Sequence, residues 1–169
     1  MNIETERLII TEFNSSMAEA VHINSLDEDT KRFLPDEVFE SVEIAEETIN
    51  FLMSVYKTGD GPLVYPVLMK DGSNIGYVQL VPIAEGYEIG YHIAKPYTKK
   101  GYATEAVRAF IEYIAQTEDI DRIHGICAAE NIASIRVLHK CGFIKVAEGE
   151  GTYQGKVRNI VRFILKLKG

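Results

Sequence analysis

The chain reads as an α/β protein built on one mixed β-sheet with helices on its faces. Three observations predict this. Segments of alternating hydrophobicity and segments with helical spacing follow one another in the order β, α, α, β, β, β, α, β, α, β, β. Consecutive hairpins in the first half imply antiparallel pairing, and strand–helix–strand units in the second half imply parallel neighbours joined by a crossover. The 169 residues, 46% hydrophobic and 25% charged, suit one core and a single domain over residues 1–169.

Taken in order, Ile3 to Phe13 reads as a strand centred on Leu8, Ile9 and Ile10. Ser16, with Glu19 three residues on, forms a capping box for a short helix that carries Ala20, Val21, Ile23 and Leu26. Lys31 to Glu40 loses periodicity around Pro35 and holds two aromatics, Phe33 and Phe39. Two readings stand for it: a loop that lines a substrate pocket, and a helix–helix connection whose aromatics pack on the core. Ser41 caps a helix with Val42, Ala45, Ile49, Leu52, Met53 and Tyr56 on its apolar face, ending near Gly59. Leu63 to Met69 and Ile75 to Val81 form a hairpin about Lys70-Asp71-Gly72, with Pro82 ending the second strand.

Tyr87 to Ile93 is the central strand, with Tyr87, Ile89, Tyr91 and Ile93 on one face and Glu88, Gly90 and His92 on the other. Pro96 stops it, and apolar residues from Ala103 through Ala106, Val107, Phe110, Ile111 and Ile114 then mark a helix. Arg122 to Ala128 is a strand expected to lie parallel to the central one. Asn131 to Cys141 is a helix closed by Gly142, and Phe143 to Ala147 and Val157 to Leu167 are the last strands, joined through Tyr153-Gln154-Gly155-Lys156.

Composition narrows the function. The net charge of −7 disfavours nucleic acid as a partner and favours a cationic one, such as an amine or a basic protein terminus. Cys127 and Cys141 lack metal-ligand spacing, and His22, His92, His124 and His139 form no zinc-like cluster, so no metal is expected. No apolar run reaches the roughly 20 residues of a membrane helix, and Met1-Asn2-Ile3-Glu4 opens no signal peptide, so a cytoplasmic location without membrane contact is the expectation.

The loop Thr98-Lys99-Lys100-Gly101 feeds directly into the helix that starts at Tyr102. Unpaired backbone N–H groups, the positive end of a helix dipole, a glycine and two lysines suit a phosphate or pyrophosphate there. The same residues also fit a plain strand-to-helix connection with two solvated lysines.

Together these features resemble the GNAT superfamily of acetyl-CoA-dependent N-acetyltransferases, over essentially the whole chain. The family's pyrophosphate loop, Q/R-x-x-G-x-G/A, falls on Thr98-Lys99-Lys100-Gly101-Tyr102-Ala103. A second motif, N-x-x-S followed by K-x-G-F, falls on Asn131, Ser134, Lys140, Gly142 and Phe143. The extension Gly101-Tyr102-Ala103-Thr104-Glu105-Ala106 and the opening Thr5-Glu6-Arg7-Leu8 resemble the branch of ribosomal-protein-alanine N-acetyltransferases. Thr98 stands where Gln or Arg is usual, and Lys99 where a glycine is usual.

The resemblance implies a partly splayed sheet and acetyl transfer to a primary amine by direct attack within a ternary complex. Acetyl-CoA or coenzyme A would contact the backbone near His92 and Ile93, the loop Thr98, Lys99, Lys100, Gly101, Tyr102, Ala103 and Thr104, and Asn131 and Ser134. Glu88 would be the general base, and a carboxylate that binds a cationic substrate is its other reading. Ser134 would give a proton or hydrogen bond to the leaving sulfur, against a plain helix-capping serine. Leu138 falls where many relatives keep a tyrosine acid. Asn131 is both a helix cap and a contact for the pantetheine arm, His92 either a second base or a packing residue, and Glu105 the partner of a local backbone or core group. The acceptor is a protein N-terminus or a small amine such as a polyamine or antibiotic, with a non-catalytic acyl-CoA sensor as the rival class. Members of such a family are monomers or homodimers.

Overall fold

The computed structural model describes residues 1–169. Eight strands form one sheet in the order β1-β2-β3-β4-β5-β6-β8-β7: β1 Ile3–Glu4, β2 Leu8–Ile10, β3 Leu63–Met69, β4 Asn74–Ile83, β5 Gly86–Ile93, β6 Arg122–Ala128, β7 Ile144–Tyr153 and β8 Lys156–Lys166. Five α-helices accompany them: α1 Ala18–Asn24, α2 Glu28–Phe33, α3 Val42–Thr58, α4 Tyr102–Thr117 and α5 Ile132–Lys140. Every pairing is antiparallel except β5 with β6. This is the mixed, helix-flanked sheet the sequence predicts.

Apolar alternation assigns the two faces of the sheet to two cores. Tyr65, Val67, Val78 and Ile89 pack with the buried stripe of α4 (Ala106, Val107, Phe110, Ile111, Ile114) and with Leu138 of α5. Val64, one residue out of step with Tyr65, packs with Ala45, Ile49 and Leu52 of α3 and with Ala18 of α1. Each fully buried Ile or Phe in these layers is worth roughly 1.5–3 kcal/mol of transfer free energy. Ser41 accepts from Ile44 N–H at 3.1 Å as the cap of α3, and Gly59 ends it at φ 72°.

Four expectations about the elements are corrected. Ile3 to Phe13 is not one strand, because a turn held by Thr5 separates β1 from β2: Thr5 N–H bonds Leu8 O and Leu8 N–H bonds Thr5 Oγ1, both at 3.0 Å. The Ser16/Glu19 capping box does not form. Asn14 is the cap instead, its Oδ1 accepting from Ser16 N–H at 3.0 Å, and the first turn is a 3₁₀ helix. Lys31 to Phe33 belongs to α2, which Asp27 caps through Thr30 N–H at 3.0 Å, and a 3₁₀ turn follows at Pro35–Glu37. Pro82 does not end its strand.

The register shows why Pro82 is tolerated. Ala94 N–H bonds Ile75 O at 2.8 Å around the pair Gly76/Ile93, which makes that pair a non-hydrogen-bonded one. Alternation along the ladder puts Pro82, opposite Tyr87, at another such position, and β3 has already ended at the Leu63/Leu80 pair. No ladder bond needs the missing N–H.

Candidate active site

The same register decides what the central strand offers. His92 and Gly90 face β4 with their backbone groups, so the N–H groups of Tyr91 and Ile93 lie on the opposite edge, toward β6. That edge is nearly unpaired, since β5 and β6 share a single register pair, Glu88 with His124. Beyond it the strands part, and a cleft of about 670 Å³ opens between the two halves of the sheet. The cleft reaches from α2 and the Pro35–Glu37 turn to the tip of the β7–β8 hairpin.

Of the residues singled out from sequence, Glu88, His92, Ile93, Thr98, Ala103, Asn131 and Ser134 line this cleft. Lys99, Lys100, Gly101, Tyr102 and Thr104 stand beside it in the loop and first turn of α4. Lys99 at φ 63° and Gly101 at φ 82° are both left-handed, which explains why a glycine is usual at the Lys99 position. No side chain caps α4, so the N–H groups of its first turn have no intrahelical or capping partner. An anion is the natural complement to such an end. Arg7 and Glu105 brace this loop from outside, Arg7 Nη1 donating to Lys100 O at 2.9 Å.

Glu88 is half-buried on the face of β5 that also carries His92. Burial, then the nearby charge of Glu37, pushes its carboxyl up to about 7, against the opposing pull of Arg162. Glu37 was not foreseen. It accepts hydrogen bonds from Tyr77 OH and from Gln79 Nε2, the latter at 2.9 Å, and burial raises its carboxyl despite both donors. Gly90 makes this possible: a Cβ there would lie 2.5 Å from Gln79 Nε2, so only glycine lets that side chain cross the strand.

The backbone of His92 does not face the gap. Its N–H belongs to the ladder with Tyr77, and its ring Nε2 is 2.8 Å from Thr30 Oγ1 and 3.6 Å from Asp27 Oδ2. Burial lowers its pKa in spite of Asp27, so at neutral pH the ring is uncharged and fastens α2 to the sheet.

On the other side of the gap, Asn131 Oδ1 accepts from Ser134 N–H at 3.2 Å as the cap of α5, and Asn131 N–H bonds Ala128 O at 2.9 Å. Its Nδ2 is the group left for a ligand. Ser134 Oγ lies 2.7 Å from Tyr91 OH, which is also 3.0 Å from Ser134 O. Sequence reading placed Tyr91 on the apolar face and missed this pair, because the partners are 43 positions apart. Leu138 is buried against Gly125 and faces the core. Tyr153 reaches the cleft from the end of β7, where burial and the charges of Glu88 and Glu37 keep its phenol protonated. Burial pushes the Cys127 thiol up to about 11, which removes it as a nucleophile at neutral pH.

Comparison with known proteins agrees with this arrangement. The pattern of the Acetyltransferase (GNAT) domain matches residues 7–144. An uncharacterized N-acetyltransferase of Bacillus subtilis, YnaD, is 34% identical over 145 residues, 84% of this chain and 82% of that protein. The crystal structure of a GNAT-family acetyltransferase from Bacillus anthracis superposes with a TM-score of 0.83 at 27% identity, covering 99% of each chain. RimL, a ribosomal L7/L12 alpha-N-protein acetyltransferase solved with coenzyme A, shares the fold at a TM-score of 0.84 and 19% identity over 98% of each chain. A cleft between parting parallel strands, an uncapped helix at its edge and this kinship together identify the chain as a member of the GNAT family, an acetyl-CoA-dependent acyltransferase.

Proposed function

We propose that the enzyme moves an acetyl group from acetyl-CoA to the primary amine of a cationic substrate, a protein N-terminus foremost, by direct attack without an acyl-enzyme. The observation that carries this is the pairing across one gap of a carboxylate poised near neutrality, Glu88, with a hydroxyl pair, Ser134 and Tyr91. The inert Cys127 thiol supports direct transfer. The fold shared with a ribosomal-protein acetyltransferase supports the protein N-terminus.

Bound acetyl-CoA supplies a thioester carbonyl as the electrophile. The residues present fit it: free N–H groups at the start of α4 for the pyrophosphate, the open edge of β5 at Tyr91 and Ile93 for the amide-bearing arm, and Asn131 Nδ2 beside it. Glu88, ionised above about pH 7, takes a proton from the ammonium so that a neutral amine attacks. Glu37, held by Tyr77 and Gln79, keeps a second negative charge beside it and favours a cation over a free amino acid with its own carboxylate. Ser134 Oγ gives a hydrogen bond or its proton to the departing sulfur, and Tyr91 OH supports it from behind.

Release of the CoA thiol from acetyl-CoA, measured with N-terminal peptides and with small amines, tests the reading. Turnover with peptides is the expected result. Turnover with small amines alone would move the acceptor to that class, and silence with both panels would remove the reading.

A further inference from the structure

The opening Thr5-Glu6-Arg7-Leu8 plays no part in the chemistry above, yet its side chains converge on the start of α4. Glu105 Oε1 accepts from Thr5 Oγ1 at 2.6 Å and from Arg7 N–H at 2.9 Å. Glu105 Oε2 accepts from Arg7 Nε at 2.7 Å and lies 2.6 Å from Arg7 Nη2. The same guanidinium donates through Nη1 to Lys100 O at 2.9 Å and lies over the Tyr102 ring, 4.4 Å from its centroid. One side chain thus grips the residue before Gly101, the first residue of α4 and that helix's first turn.

The loop needs such a grip. Two of its three residues from Lys99 to Gly101 are left-handed, and Lys99 lacks the glycine that would adopt that shape freely. The peptide between Lys100 and Gly101 is planar and trans, so its C=O and N–H point in opposite directions. With the carbonyl pinned to Arg7, the Gly101 N–H is aimed away from Arg7. Glu105 raises a second problem, because a carboxylate in the first turn would repel an anion bound at the helix start. Four donor contacts and the charge of Arg7 occupy both its oxygens.

We propose that Arg7 is a positioning residue for coenzyme A: it fixes the Lys99–Gly101 loop and neutralises Glu105, so that the loop accepts a pyrophosphate. This rests on the reading of that loop as the pyrophosphate site. Arg7 touches the loop's carbonyl face and acts through it.

The test compares wild type with Arg7→Ala and Arg7→Lys in two measurements: the Kd of coenzyme A by calorimetry, and kcat/KM with acetyl-CoA and with S-acetylpantetheine, which lacks the pyrophosphate, toward one amine. Arg7→Ala is expected to raise the Kd about 10-fold or more and to lower kcat/KM for acetyl-CoA alike, leaving S-acetylpantetheine within about twofold. Arg7→Lys keeps the charge but not the planar fork, so its Kd stays at least about threefold above wild type. An unchanged Kd, an equal fall with both acetyl donors, or full recovery by lysine would each overturn the proposal. If Arg7→Ala does not fold, the Kd of Arg7→Lys decides. A wild type that uses S-acetylpantetheine as well as acetyl-CoA would instead remove the underlying loop reading, a result visible before any variant is made.

Discussion

Glu88 works against the stability of its own fold. Its folded pKa of about 7 lies above the ordinary 4.5, so whatever it contributes is fully present below pH 4.5 and is lost as pH rises through 7. The expected outcome is that Glu88→Gln melts higher than wild type at pH 8, by an amount on the order of 2 kcal/mol, and no higher at pH 4. The same substitution should lower kcat/KM by about 100-fold, since the attacking amine then keeps its proton. In wild type, kcat/KM should rise with pH to a plateau through an apparent pKa near 7, provided the amine's own titration is subtracted. Glu37→Gln removes one of the two influences that raise Glu88, so that limb should move to lower pH while the KM for the amine rises. Ser134→Ala is expected to cost about 10-fold in kcat and little in the Kd of coenzyme A. Pre-steady-state and equilibrium binding measurements separate these effects.

Among the elements, the loop before α4 and the β7–β8 turn each hold one non-glycine residue in the left-handed region, Lys99 at φ 63° and Gln154 at φ 52°. A lysine in the left-handed region costs roughly 1–2 kcal/mol, whereas glycine there would adopt that shape freely but lose up to ~1 kcal/mol more conformational entropy on folding. Lys99→Gly should therefore change stability by less than about 1 kcal/mol, whereas Lys99→Val, branched at Cβ, should lose at least ~1 kcal/mol more. Urea denaturation of the two variants checks the difference. How far the elements could be read in advance follows from the same physics. α3 and α4 were legible because several apolar residues recur on one face. β5 was legible in its faces and its neighbours. The Ser16/Glu19 box failed because a closer acceptor, Asn14, captured Ser16 N–H. The segment around Pro35 was opaque because its order comes from contacts far away in sequence: His92 to Thr30, Tyr77 and Gln79 to Glu37, and Gln154 to Asp36 N–H at 3.0 Å.

At the scale of the molecule, the sheet consists of two well-paired halves that meet at one register pair. Glu88 and Ser134 were readable as candidates, and the facing strands were readable as parallel neighbours. Their supports were not: Glu37, Tyr91 and Arg7 matter through partners 40 to 98 positions distant, which no local pattern records. Both halves rest on the α4 core, where Phe110 is 1% exposed. Phe110→Ala is expected to cost about 3–5 kcal/mol and to weaken both halves together, seen as one cooperative transition at lower temperature.

The parting of β5 from β6 has a signature in solvent exchange. Along β5 the amides of Gly90 and His92 are spent on β4, while those of Tyr91 and Ile93 face the gap. Neighbouring amides of one strand should then exchange hydrogen at alternately slow and fast rates in the free protein. A ligand laid along that edge would slow the fast set alone, leaving a strand protected at every position.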